Sequence, residues 1–144
     1  MTGLPVFYND AVAYIGNISL LANSTKATNV NFTLSGEELT ATAIQSSQNT
    51  TLVLDSPTLA IDVSSDALDS AIFETSTTSG YSHSGFLYYG AQIVWLASGV
   101  LESKWVAETT DTDGLWVLKW AANGGTEDEL LVVLKNLAPV ALTA

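Results

Sequence analysis

The chain contains no cysteine and no arginine, one histidine, one methionine, three prolines and four lysines in 144 residues. Without cysteine there can be no disulfide, no zinc–thiolate centre and no thiol nucleophile. Four lysines against fifteen Asp and Glu give a formal charge of −11. A phosphate backbone or an anionic membrane surface is bound through Lys and Arg, so the composition argues against both kinds of partner. A single histidine leaves no pair of imidazoles for a metal. Nor is there an unbroken apolar run of about 20 residues, the length a membrane span needs; the longest stretch, 91–101, is interrupted by Gln92 and Ser98. Met1-Thr2-Gly3 lacks the charged and apolar regions of a secretory leader, and Met1 is read as standing in place of a leader that has been removed.

What the chain has in quantity is apolar and hydroxyl side chains. Hydrophobic residues make up 47% and the mean hydropathy is +0.28, enough apolar surface to offset the entropy of ordering one domain over residues 1–144. Fifteen Ser and seventeen Thr, rather than charges, carry much of the polar surface, a composition that suits an exported protein. Four Asn-x-Ser/Thr sequons, at Asn17, Asn23, Asn31 and Asn49, are candidate N-glycosylation sites and all fall within the first 51 residues.

The apolar residues recur at period two. Val30, Phe32 and Leu34 alternate with Asn29, Asn31 and Thr33; Leu59, Ile61 and Val63 with Thr58, Ala60 and Asp62; Trp116, Leu118 and Trp120 with Leu115, Val117 and Lys119. This is the signature of half-buried strands. Turn signals separate the runs at Ser35-Gly36, Ser79-Gly80, Ser98-Gly99, Asp113-Gly114 and Asn123-Gly124-Gly125. The expected strands are 5–8, 11–15, 18–22, 29–34, 38–44, 51–54, 58–63, 70–75, 86–90, 92–97, 103–108, 115–121 and 130–136. A short helical turn is expected at 65–70 and an exposed loop at 75–80. The fold class is all-β: an antiparallel sandwich, or barrel-like sandwich, of about ten short strands.

Candidates for chemistry are few. His83 is the only imidazole base, but Ser82 and Ser84 flank it on a strand-like segment where neighbours point to opposite faces, and no G-x-S-x-G elbow occurs. His83 is therefore expected to be a surface residue. Many acids, such as Glu37, Glu38 and the run Glu127-Asp128-Glu129, stand beside turns and read as solvated; those inside strands, Asp62, Glu74 and Glu108, are better placed for a raised pKa. Asp111-Thr112-Asp113-Gly114 resembles the start of a calcium loop but runs straight into Leu-Trp-Val, so a hairpin turn is expected. Phosphate-cradling loops and dinucleotide fingerprints are missing, and no catalytic residue, metal or cofactor is assigned. The remaining feature is aromatic: Trp95, Trp105, Trp116 and Trp120 follow closely on Phe86, Tyr88 and Tyr89. In step with aliphatic neighbours, these rings are expected mainly in the core; a platform of the four Trp, stacking on sugars, is the alternative.

The segments Ser82-His83-Ser84-Gly85-Phe86-Leu87-Tyr88-Tyr89-Gly90, Val94-Trp95-Leu96, Glu102-Ser103-Lys104-Trp105 and Gly114-Leu115-Trp116-Val117-Leu118-Lys119-Trp120, with Asn29 to Leu39 and Leu137-Ala138-Pro139, resemble a family of small secreted fungal proteins. It comprises hypersensitive-response-inducing elicitors and, more distantly, conidial cell-wall proteins; the missing cysteines favour the elicitor branch. The resemblance implies a secreted, non-enzymatic protein of the apoplast or fungal wall that provokes plant cell death and defence through surface recognition. Its partner would be a plant cell-surface protein or a cell-wall glycan. The loops 75–83 and 109–113 are the expected contact regions, and a carbohydrate-binding or wall-associated module is the second expectation.

Overall fold

The computed structural model describes residues 4–21, 26–43, 54–55, 57–63, 69–76, 79–97, 99–121 and 129–135. Thirteen strands run through them: β1 (Val6–Asn9), β2 (Val12–Gly16), β3 (Ala27–Ser35), β4 (Glu38–Ala43), β5 (Thr58–Asp62), β6 (Ile72–Glu74), β7 (Tyr81–Ser82), β8 (Phe86–Tyr89), β9 (Gln92–Ala97), β10 (Val100–Glu102), β11 (Trp105–Thr109), β12 (Leu115–Trp120) and β13 (Glu129–Leu131). The expected all-β class is observed, as a barrel-like arrangement. All strand pairings are antiparallel, and β1-β3-β4-β5-β6-β2 closes on itself because β2 also pairs with β1.

The ring is left open for extension at β2. One edge of β2 pairs with β1; the other is divided, Val12 facing Ile72 of β6 while Tyr14, Ile15 and Gly16 face Val117, Trp116 and Leu115 of β12. From there β12, β11 and β13 continue the sheet. Gly16 permits the close approach: at φ +130, a Cβ there would lie 2.6 Å from the Gly114 carbonyl oxygen. Strands β8, β9 and β10 form a separate meander. The C-terminal segment ties it to the main sheet, since Val132 N–H donates to Trp105 O and Ile93 N–H donates to Leu134 O.

Strand parity decides what the barrel holds. Ala13, Ile15, Val30, Leu39, Ala41, Leu59, Ile61, Ala71 and Phe73 share its core, small residues beside large ones, so a six-stranded interior is filled by side chains alone. Trp116, Leu118 and Trp120 of β12 belong to the same layer, with Trp105 and Ala107 of β11 and with Phe86, Ile93 and Trp95 of the meander. On the opposite side of β1 to β3 a second, smaller cluster of Phe7, Ala27 and Leu115 is covered by Tyr14, Ile18 and Leu21. Here the expected strand 18–22 is corrected: Ile18–Leu20 is a 3₁₀ turn. The Asn17 side chain accepts from Ser19 N–H at 2.9 Å, a capping bond that competes with strand pairing.

Two strands escaped the sequence pattern, β7 and β10, because two or three residues show no periodicity. The expected turn at 35–36 is the two-residue loop Gly36-Glu37, both at positive φ (57 and 67), as the twist of a tight hairpin demands. Asp10-Ala11 makes an equivalent turn between β1 and β2 with φ of 49 and 68. The expected strand 51–54 and helical turn 65–70 lie largely outside the described residues, as do Asn23 and Asn49.

Candidate functional site

The densest set of chemistry-bearing side chains lies on the outside of the barrel, over β5 and β6. Thr58 faces Glu74 across the pair, and its Oγ1 donates to the Glu74 carbonyl at 3.2 Å. Both point away from the core residues Leu59 and Phe73, yet the Glu74 carboxylate is only 5% exposed. It is covered by the segment that follows β7. Pairing of Ile61 with Ser82 and of Asp62 with Tyr81 fixes that segment on β5, and His83, the next residue, sits with Nδ1 2.8 Å from Glu74 Oε1. Its other nitrogen, Nε2, is 3.7 Å from Glu38 Oε1 at the start of β4.

Neighbouring bonds hold the segment down. Gly85 N–H and Phe86 N–H both donate to the Glu37 carbonyl at 3.1 and 3.0 Å, and Trp95 Nε1–H donates to Ser84 O at 2.9 Å. Gly85, at φ +110, lies against the Trp95 indole, where a Cβ would come within 2.7 Å of Nε1. Tyr81 OH donates to Ser70 O at 3.1 Å. Burial, followed by the charges of Asp69, Asp62 and Glu74, pushes the Tyr81 phenol up to about 12 from an ordinary 10.0.

Chemically this is a clasp. With Nδ1 protonated the imidazole donates to a buried carboxylate, the arrangement that orients a general base, but Nε2 looks toward a second carboxylate. The neighbouring hydroxyl is turned elsewhere, Ser82 Oγ donating to Ser84 O at 2.8 Å. The geometry therefore fastens the β7–β8 segment to β6 and β4. His83, expected on the surface, is half-buried. Of the three acids singled out within strands, Asp62 and Glu74 are buried, at 8% and 7% exposure. Glu108 is half-buried and bonded to Lys119 on the β11–β12 sheet; β2 and β12 separate it from Glu74 in the strand order, so the two do not form a pair.

The tryptophans form a core and offer no four-ring platform, which corrects that alternative. Trp105 and Trp120 face each other across β11 and β12, at 0% and 2% exposure, with ring centroids 5.0 Å apart at 85°. Phe86 stacks on Trp105 at 6.0 Å and Trp95 meets Trp120 edge-on at 5.9 Å. Trp105 Nε1–H is satisfied by the Ile93 carbonyl at 3.0 Å. Trp95 and Trp116 are half-buried and packed on the same cluster. The cause is parity: positions 105, 116 and 120 all project from the same side of the paired strands as Ile15 and Leu118.

Exposed apolar surface lies instead on the meander. Tyr88, Tyr89, Leu96, Val100 and Leu101 are all exposed, Tyr89 to 66%. Leu96 stands directly opposite Leu101 on the side facing away from Phe86 and Trp95; Leu87 and Val94 share that side, Leu87 half-buried and Val94 buried. Within β8–β10 the residues of this face, Gln92 and Tyr89 included, are uncharged, and the exposed Lys135, bridged to Gln92, stands beside them on the same side. The run Ile93-Val94-Trp95-Leu96, apolar at every position, is a pattern that fits a strand with two apolar faces. Of the loops expected to make contacts, Thr75, Ser76, Ser79 and Gly80 are exposed, whereas Tyr81 to His83 are held in the clasp. The 109–113 loop is the expected hairpin connection: Thr110 Oγ1 donates to Leu115 O at 2.9 Å and accepts from Thr112 N–H at 3.1 Å, leaving Asp111 and Asp113 exposed. Among the described residues no group of three or more potential metal ligands occurs, and no helix is long and apolar enough to cross a membrane. Comparison with family models, with curated proteins and with solved structures gives no match to this chain.

Proposed function

We propose that this chain is a secreted, non-enzymatic recognition protein of the elicitor type. It acts by presenting a surface to a protein on the plant cell and so provokes cell death and defence. The observation that carries the reading is the apolar outer face of the β8–β10 meander, where Tyr89, Leu96 and Leu101 are exposed and no acidic residue of these strands stands, on a chain of net charge −11. Contiguous apolar surface depleted of charge is characteristic of the centre of a protein interface. The resemblance of 82–90 and of the Trp-bearing segments to fungal elicitors supplies the kind of partner. Infiltration of leaves with native, heat-treated and protease-treated protein tests it. Native protein gives necrosis or an oxidative burst, and a folded Leu96→Ser/Leu101→Ser variant gives less; absence of any response at every dose overturns the reading.

A second reading, attachment to a cell-wall glycan, is favoured by Tyr89 alone, an aromatic ring open enough to stack on a sugar. It predicts retention on chitin, glucan or cellulose that a Tyr89→Ala change abolishes. Failure to be retained on any of the three removes it.

A further inference from the structure

Two of the four sequons lie within the described residues, and both side chains are exposed: Asn17, between β2 and the 3₁₀ turn, and Asn31, in the middle of β3. Their hydroxyl partners two residues on, Ser19 and Thr33, are exposed as well. Asn17 uses its side-chain oxygen only. Oδ1 accepts from Ser19 N–H at 2.9 Å and from Ser19 Oγ at 2.8 Å, while no described residue bonds to Nδ2. An N-linked sugar replaces a hydrogen on Nδ2 and leaves Oδ1 an acceptor, so the cap survives the modification. Asn31 stands opposite Thr42 on the outside of the barrel, where strand parity also places Thr33 and Thr40. Its backbone carbonyl takes the Thr42 hydroxyl at 3.3 Å, and its side chain points to solvent without a described partner.

We infer that Asn17 and Asn31 are N-glycan acceptors, and that their sugars clothe the β1–β4 flank of the barrel while the β8–β10 meander, which contains no sequon, stays bare for its partner. The inference rests on the reading that the chain is exported through a eukaryotic secretory route. The donor class is an oligosaccharide linked to a lipid diphosphate. The bond between Asn Nδ2 and the anomeric carbon forms, the bond from that carbon to phosphate oxygen breaks, and lipid diphosphate departs as Nδ2 gives up one proton.

The full chain, fused to a cleavable leader and secreted from yeast, is the material for the test, so the result does not depend on the native export signal or on any plant response. Release of glycans by a peptide N-glycosidase in heavy-oxygen water converts each occupied Asn to labelled Asp, which peptide mass mapping locates. Label at both Asn17 and Asn31 is expected. Asn17→Asp keeps the capping oxygen and removes the acceptor, so it loses one glycan while its circular dichroism spectrum and midpoint of unfolding match those of deglycosylated wild type. Asn31→Gln loses one glycan in the same way. Unlabelled Asn17 or Asn31 in folded, secreted protein overturns the assignment at that residue. Because the readout is mass, an inactive but glycosylated protein counts against the elicitor reading and leaves the acceptor assignment standing.

Discussion

The barrel and the meander solve the same problem differently. In the six-stranded ring each strand finds neighbours on both sides and one face of every strand is committed to a shared core; the outer face carries Asn, Thr and the His83 clasp, with a second apolar cluster of Phe7, Ala27 and Tyr14 over β1 to β3. In the meander, β8 to β10 commit Phe86, Ile93 and Trp95 to that same core, but the outer face is apolar too, and β10 remains an edge. Closed pairing leaves no edges; the open sheet, apolar on both faces, leaves Leu96 and Leu101 exposed. Under the proposed function, stability and recognition would be separated in space, with Trp105 and Trp120 packed between the two regions.

The largest effect is expected where the two regions join. Trp105→Ala removes a fully buried indole that touches Phe86 and Trp120 and should cost about 3–5 kcal/mol, read by denaturant unfolding. A loss below about 1 kcal/mol would mean that the meander is not coupled to the barrel core. His83→Ala should cost about 1–3 kcal/mol, since it leaves the buried Glu74 carboxylate without its imidazole contact; the same measurement checks it. Alkali should act next. The Tyr81 phenol is neutral in the folded protein up to about 12, whereas in the unfolded chain it ionises near 10.0. Its contribution to stability is therefore complete below pH 10 and is lost as pH rises from about 10 to about 12. Tyr81→Phe should flatten the fall in unfolding midpoint over that window. The smallest stability effect, within about 0.5 kcal/mol, is expected for Leu101→Ser on the exposed meander, although the same change should weaken the plant response. A large stability loss there would show that the face is packed and would break the contrast.

Much of the barrel could be read from the sequence because its strands are long enough to show alternation. Val30, Phe32 and Leu34 turned to the core side as their spacing required, and the runs at 38–44, 58–63, 92–97 and 115–121 became β4, β5, β9 and β12 within a residue or two. The strand expected at 18–22 failed because Asn17 offers a local hydrogen bond that competes with pairing, a choice invisible to a pattern that counts only apolar residues. Trp120 could be assigned to the core from its in-step neighbour Leu118, whereas Tyr88, in step with Phe86, is exposed. The clasp could not be found, since Glu74 and His83 are brought together only by the register of β7 on β5, and β7 is two residues long.

Composition and periodicity alone determined that this protein is all-β, free of thiol chemistry, strongly acidic and built from strands with a polar and an apolar side. These are properties of single residues and of near neighbours, which hydration and strand geometry read directly. Tertiary structure alone decided that the ring closes, that β12 rather than β6 takes the far end of β2, and that the bare apolar face belongs to the meander. Those outcomes depend on which distant segments pair and in what register: Ile15 with Trp116, Ile61 with Ser82. A shift of one residue would turn every side chain of a strand to the opposite face.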